Sequence, residues 1–315
     1  MMPDLPPAIF LMGPTASGKT ALALALYEKL PVEIVSVDSS QVYRGMDIGT
    51  AKPTAVEQAR AAHRLIDIRD PAQAYSASEF CADALREMED ITRQRHIPLL
   101  VGGTMFYFHA LEYGLSELPS ADPEIRARLA KEAGHTGWPV MHRRLQAVDP
   151  VTAGQIKPND AQRIQRALEL FELTGQPPSQ LKHAAPPQAP PYHFIKIALV
   201  PKERERLHAC IARRFHAMLE QGLVDEVKRL YSRGDLNLNM PSMRAVGYRQ
   251  IWEYLTNKIG YNEMVNKAIA ATRQLAKRQM TWLRGYPDVQ FLYMEEKLPL
   301  KTCLDHLQGI ARPRS

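Results

Sequence analysis

One octapeptide constrains this chain more than any other feature. Gly13-Pro14-Thr15-Ala16-Ser17-Gly18-Lys19-Thr20 fits the pattern G-x-x-x-x-G-K-[ST]. It lies between an apolar run, Ala8 to Met12, and an Ala- and Leu-rich stretch, Thr20 to Leu30, that Pro31 stops. A strand feeding such a loop, with a helix leaving it, is the context in which this pattern has a mechanism. The glycines let the backbone wrap closely, so that its N–H groups and the helix N-terminus face an anion. Lys19 then neutralises phosphate oxygens, and the Thr20 hydroxyl is the expected ligand of a Mg²⁺ ion.

Around this loop the first half of the chain alternates apolar runs with helical patterns, as βαβ units with a parallel sheet do. Val32 to Val37 reads as a second buried strand ending at Asp38, and Ile97 to Val101 as another, ending in Gly102-Gly103-Thr104. Between them Ser76 and Glu79 form a capping box, followed by Phe80, Ala84, Met88 and Ile91 at helical spacing. From about Leu115 to Leu181 the pattern is helical. Four prolines within Ala184 to Pro191 then suggest a stiff linker. Strand character returns at Phe194 to Val200, and Leu207, Ile211, Phe215 and Met218 mark one face of a further helix. The expected fold is a P-loop NTPase-like parallel sheet flanked by helices, with a helical insertion and a helical C-terminal segment. Its core comprises residues 1–114 and 192–315, with the insertion at 115–191.

A P-loop ATPase normally adds a carboxylate at the end of a later buried strand to steady Mg²⁺. Here that strand ends in Gly-Gly-Thr, which weakens the case for nucleotide hydrolysis. A carboxylate stands instead at the end of the second strand, on the carboxyl-end rim where ligands of open α/β sheets bind. Asp38 can accept a proton from a reacting group there, or it can cap a turn with Ser39 and Ser40. Thr104 can likewise cap the helix that follows it.

Charge is distributed unevenly. The 315 residues carry 40 Lys and Arg against 34 Asp and Glu, a net +6. Arg244 to Arg284 holds eight basic residues (Arg244, Arg249, Lys258, Lys267, Arg273, Lys277, Arg278, Arg284) against Glu253 and Glu263, leaving 32 of each sign elsewhere. The whole excess is local. Arg273, Lys277 and Arg284 share a helical face, with Lys267 a turn earlier and Tyr248 and Trp282 nearby. Clustered cations with aromatics suit a phosphate backbone and exposed bases, although a solvated helix face has the same look. Cys81, Cys210 and Cys303 are too scattered for a disulfide framework or a zinc site. No apolar run approaches the ~18 residues of a membrane span. Asp4 and its neighbouring prolines replace the positive charge of a signal peptide, so a cytoplasmic protein is expected.

With these residues in view, the chain resembles the bacterial tRNA dimethylallyltransferases. The resemblance rests on Gly13 to Thr20, the run from Val37 through DSSQVYRGMDIGTAKP to Pro53, His63 to Pro71, and Val101 to Thr104. Asn159 to Arg166, Arg244 to Arg249 and Ala271 to Gly285 continue it, all in family order, so it spans about residues 8 to 286. Ser17 occupies a position that often holds another small residue, and Lys131 to Val148 matches little beyond being helical. After Tyr286 there is one Cys and one His, so the zinc finger of some eukaryotic relatives is absent.

The resemblance implies transfer of a dimethylallyl group from dimethylallyl diphosphate to the exocyclic amine (N6) of the adenosine 3′ of the anticodon. Asp38 would accept the amine proton and Thr104 would lie near the reacting groups. Arg214 would join Lys19 and Thr20-bound Mg²⁺ at the departing diphosphate, held in the Gly13 to Thr20 loop. tRNA contacts carry over to Asp38, Ser39, Ser40, Gln41, Thr104 and Arg126, and to Gln162, Arg163, Ile164, Gln165 and Arg166 in the insertion. They also carry over to Arg244, Ala245, Val246, Gly247, Tyr248 and Arg249, and to Arg273, Gln274, Lys277, Arg278 and Met280. A monomer bound to the anticodon stem-loop, with no membrane partner, is expected. Three other readings compete: a P-loop small-molecule kinase using ATP, a transferase prenylating free adenine nucleotide, and a non-catalytic tRNA-binding module.

Overall fold

The structure, a computed structural model, describes residues 5–116, 118–184, 188–294 and 297–308. Part of the proline-rich linker, 185–187, lies outside the described residues. In chain order the first elements are β1 (Pro7–Met12), α1 (Lys19–Tyr27), β2 (Val32–Val37), α2 (Ala55–Arg60), β3 (His63–Arg64), α3 (Ala77–Arg93), β4 (Ile97–Gly102) and α4 (Met105–Tyr113). Five helices follow: α5 (Pro123–Thr136), α6 (Trp138–Val148), α7 (Pro150–Gly154), α8 (Ala161–Thr174) and α9 (Pro178–Ala184). The chain then forms β5 (His193–Pro201), α10 (Arg204–Glu220), α11 (Leu223–Tyr231), α12 (Tyr248–Leu255), α13 (Tyr261–Arg284), β6 (Val289–Met294) and α14 (Leu300–His306).

The six strands make one parallel sheet in the order β3-β2-β4-β1-β5-β6. β1 is central, paired with β4 through Ile9↔Leu99 and with β5 through Ile9↔Ile195. Its residues alternate between two buried faces, which is why it reads as an unbroken apolar run. Ala8, Phe10 and Met12 join a core with α3, α4 and α10 to α13, while Ile9 and Leu11 join one with α1 and α14. The centre of the sheet is thus covered on both sides, and the carboxyl ends of β1, β2 and β4 share one rim.

Local signals fall where expected in several elements. Ser76 accepts from Glu79 N–H and Glu79 reciprocates on Ser76 N–H, a capping box at the start of α3. The buried residues of α3 are Phe80, Ala84, Met88 and Ile91, and those of α10 are Leu207, Ile211, Phe215 and Met218. Two boundaries differ. α1 closes at Tyr27, and Leu30 donates back to Leu26 before Pro31. The C-terminal segment is not helical throughout, because Val289–Met294 pairs parallel to β5 from Lys196↔Val289 to Pro201↔Met294.

The chain divides into two compact units, Met1–Glu112 with Pro190–Ser315, and Tyr113–Ala189. The second unit is helical, with its own small core of Leu129, Met141, Leu145, Ile164 and Leu168. Asp160 caps the start of α8, and Gly175 ends it with a φ of 69°.

Candidate active site

The loop between β1 and α1 is built for close approach. A Cβ on Gly13 would lie 2.3 Å from the carbonyl oxygen of Leu199 on β5, so no other residue fits there. α1 has no side-chain cap at its N-terminus, leaving first-turn N–H groups oriented toward an anion. The Ser17 hydroxyl is buried in the loop and makes no hydrogen bond among the described residues. Thr15 N–H is used internally, donating to Oε1 of Gln279 on α13 at 2.9 Å.

Two cations converge on this loop. Lys19 Nζ donates to Pro14 O at 2.8 Å, and Arg214 Nη2 donates to Thr15 Oγ1 at 2.8 Å. Burial, reinforced by Arg214, pulls Lys19 down to about 7, and Asp38 opposes that shift. Arg214 is likewise held below its ordinary value by burial, again opposed by Asp38. Arg214 thus adds to the penalty on the charged Lys19, and Asp38 favours the charged form of both. Such a site gains stability when an anion enters it.

Thr104 meets the residues on either side of Asp38 across the ends of β2 and β4. Thr104 Oγ1 accepts from Ser39 N–H at 3.1 Å, and Thr104 N–H donates to Val37 O at 3.3 Å. Asp38 Oδ1 accepts from Ser40 N–H at 2.8 Å and Gln41 N–H at 3.3 Å. One oxygen therefore closes the turn, and Oδ2 makes no hydrogen bond among the described residues. The turn reading and the proton-acceptor reading each use one carboxylate oxygen.

These groups line one cavity of about 890 Å³. Thr15 to Thr20, Asp38 to Gln41, Thr104, Arg214, Ala245 to Gly247 and Arg278 all contribute, while Thr272, Leu275, Gln279 and Trp282 add the inner face of α13. The phosphate loop and Asp38 therefore address the same space. The Thr20 hydroxyl lines it as a hard oxygen donor. Among the described residues no group of three or more His, Cys, Asp or Glu is arranged to hold a metal ion.

Other residues named from the sequence are placed differently. Tyr248 is fully buried, with its hydroxyl donated to Glu226 at 2.5 Å, so its ring offers no stacking surface to a partner. Gln41 has committed its amide: Nε2 donates to Thr50 O and Ala51 O, and Oε1 accepts from the Ser36 hydroxyl. In the helical unit Ile164 is buried, and Glu169, itself inaccessible, binds both Arg126 and Arg166. Gln165 Nε2 donates to Arg126 O, and Arg163 lies 3.5 Å from Asp160. Gln274 is exposed and Met280 half-buried on α13.

The basic segment divides cleanly. Glu253 pairs with Arg249 at 3.2 Å, and Glu263 with Lys267 at 2.7 Å. Arg244, Lys258, Arg273, Lys277, Arg278 and Arg284 have no carboxylate within ion-pair distance among the described residues. Those six carry the net charge of the segment. Arg273 differs from the rest, since its Nε is buried without a hydrogen bond and its charge adds to the burial that holds His208 on α10 below its ordinary value.

Sequence reasoning missed Gln279 and Glu226. Both are polar residues on otherwise apolar helical stripes, Gln279 with Ala276 and Leu283, Glu226 with Leu223, Val227 and Leu230. A lone polar group at a core position was the available signal.

A phosphate loop whose cavity also holds a strand-end carboxylate, on a parallel sheet covered by helices, defines a P-loop α/β transferase. Comparison with known proteins gives the family. The sequence matches the IPP transferase family over residues 41–286, and the chain belongs to that family. It is similar to the full-length tRNA isopentenylpyrophosphate transferase of Bacillus halodurans, with 36% identity, a TM-score of 0.70, and coverage of 95% of this chain and 94% of that one. It is also similar to the tRNA delta(2)-isopentenylpyrophosphate transferase of Staphylococcus epidermidis, with 34% identity, a TM-score of 0.67, and coverage of 96% and 97%. A eukaryotic dimethylallyltransferase acting on tRNA matches with 27% identity and a TM-score of 0.75, over 91% of this chain and 74% of that one.

Proposed function

We propose that this chain transfers the dimethylallyl group of dimethylallyl diphosphate to N6 of the adenosine 3′ of the anticodon in tRNA, releasing diphosphate. The observation that carries this reading is the single cavity shared by the phosphate loop and Asp38. Donor and acceptor can be held there together without an activated water.

The amine lone pair attacks the allylic carbon as the carbon–oxygen bond to diphosphate breaks. Nitrogen gains positive charge and the leaving group gains negative charge. Asp38 Oδ2 takes the amine proton, while Oδ1 stays in the turn. Lys19, Arg214, the Ser17 hydroxyl and the first-turn N–H groups of α1 receive the diphosphate charge, an electrostatic stabilisation that strengthens as the bond breaks. Mg²⁺ would be held by the Thr20 hydroxyl together with diphosphate oxygens and water, an all-oxygen set that suits this ion, and when bound it supplies further neutralisation of the leaving group.

The acceptor base must leave its stack to enter the cavity, at a cost of a few kcal/mol that is smaller in a loop than in a duplex. Phosphate contacts to the unpaired cations Arg244, Lys258, Lys277, Arg278 and Arg284 offset it. Among the described residues no helix is long and apolar enough to cross a membrane. We read the protein as a cytoplasmic monomer.

The test is direct. Purified protein, dimethylallyl diphosphate, Mg²⁺ and unmodified tRNA should yield prenyl-adenosine on nucleoside mass spectrometry. No product would overturn the reading, and faster transfer to free AMP than to tRNA would make free nucleotide the acceptor.

A further inference from the structure

Glu226 is a buried carboxylate that the transfer mechanism does not use. It is 1% exposed, on the apolar stripe of α11. Its Oε2 accepts from Asp47 N–H at 3.0 Å and Ile48 N–H at 2.8 Å, and its Oε1 from Gly49 N–H at 3.2 Å and the Tyr248 hydroxyl at 2.5 Å. Three successive backbone amides and one phenol thus converge on one side chain. Burial and the neighbouring carboxylate push the Tyr248 hydroxyl above its ordinary value, so it stays a donor. A Cβ on Gly49 would strike the Tyr248 ring at 2.5 Å, which shows how tightly this joint is closed.

From the 47–49 turn the contacts run through Gln41 to Asp38. The next two carbonyls, Thr50 O and Ala51 O, accept from Gln41 Nε2 at 3.3 and 3.2 Å. The backbone N–H of Gln41 donates to Asp38 Oδ1. Lys52 fastens the same loop from the other end, bonding Tyr43 O, Asp47 and Asp67. Tyr248 opens α12 immediately after Ala245 to Gly247, another wall of the cavity.

We propose that Glu226 is a positioning residue for the transfer reaction: it fixes Asp38 through the 47–51 loop and Gln41, and fixes the 245–247 wall through Tyr248. The proposal rests on the transferase reading above. A charged acceptor fits this role because one carboxylate can satisfy four donors at once, where a neutral amide would turn its own NH₂ against some of them.

Glu226→Gln, matched in shape, tests this in single-turnover transfer to tRNA below its melting temperature. The transfer rate should fall about 10- to 100-fold, the scale of a misplaced reacting group. The Kd for diphosphate should stay within about 2-fold of wild type, since the phosphate loop is not part of this joint. Gln41→Ala should also slow transfer, and the double variant should be no slower than the slower single one, because both changes break one chain of contacts. A wild-type rate in Glu226→Gln, a fully additive double variant, or loss of diphosphate affinity in step with rate would each overturn the proposal. Should Glu226→Gln fail to fold, Tyr248→Phe removes a single hydroxyl from the same joint; slowed transfer with unchanged diphosphate affinity supports the proposal, and an unchanged rate overturns it. Absence of transfer in wild-type protein would count instead against the transferase reading.

Discussion

Thr15 and Gln279 stand at opposite ends of the sequence and meet at 2.9 Å, the backbone N–H of the first donating to the side-chain oxygen of the second. Gln279 Nε2 completes the bridge by donating to Gly103 O at 2.8 Å. An uncharged side chain on the basic helix therefore ties the phosphate loop to the rim of β4. The same residue, Thr15, presents its hydroxyl to Arg214. The phosphate loop is thus braced by α13, whose exposed positions carry Lys277, Arg278 and Arg284.

Gln279→Leu removes both halves of that bridge while keeping the volume. It strands the half-buried Thr15 N–H and the buried Gly103 carbonyl, and a buried polar group left unpaired costs about 1–3 kcal/mol. Equilibrium urea unfolding should show a loss of roughly 2–4 kcal/mol, and calorimetric titration should show weaker diphosphate binding. Unchanged affinity would mean that Thr15 holds its place without the helix.

Asp38→Asn and Asp38→Ala separate the two roles of this side chain. Asparagine keeps an oxygen for the Ser40 and Gln41 amides but cannot take the amine proton, whereas alanine loses both. Each should lower turnover by about 10²-fold or more. Only alanine should also lower the melting temperature, and tRNA affinity should stay near wild type in both. Substantial turnover in the asparagine variant would leave Asp38 with its turn role alone.

Lys19 gives the site a pH signature. Its pKa is near 7 in the folded protein against an ordinary 10.5. Between those values the unfolded chain binds more protons than the folded one, so Lys19 makes stability rise with pH across about 7 to 10.5. Below pH 7 its charge is fully present in the folded site and opposes folding. Lys19→Met should therefore raise unfolding stability more at pH 6.5 than at pH 9. Diphosphate favours the charged lysine, so binding at pH 8 should take up protons that Lys19→Arg does not. Calorimetry in buffers of different ionisation enthalpy reads this difference, and equal uptake in the two proteins would contradict the assignment.

Elements with a local signal were legible in the sequence. α3 and α10 bury the residues that their spacing marks, and β1 and β2 end at the motifs that follow them. β3 is two residues long, and β6 pairs only with β5, a pairing that no short window contains. The site divides in the same way. The phosphate loop and Asp38 announce themselves by spacing; the turn reading of Asp38 is seen in its Oδ1 contacts, and its second oxygen leaves the proton-acceptor reading open to it. Tyr248 reads as surface aromatic beside Arg244 and Arg249, but sequence does not say which way a ring faces, and Glu226 draws it inward. Gln279 and Glu226 act through partners far away in the chain, so only their polarity on an apolar stripe hints at them.

The basic segment supplies a prediction in which two anions are told apart. Lys277 and Arg284 are exposed on α13, have no carboxylate partner among the described residues, and do not line the cavity. Arg273 is a poorer choice because its Nε is buried. Removing one phosphate-binding cation reduces the dependence of log affinity on log salt by about one. The double variant Lys277→Ala/Arg284→Ala should weaken tRNA binding and flatten its salt slope by about two. Diphosphate affinity should hold, because Lys19, Arg214 and the α1 N-terminus remain in place. Fluorescence titration of tRNA from low to moderate salt, beside calorimetry with diphosphate, measures both. Parallel weakening of the two affinities would show that the cations of α13 belong to the diphosphate site after all.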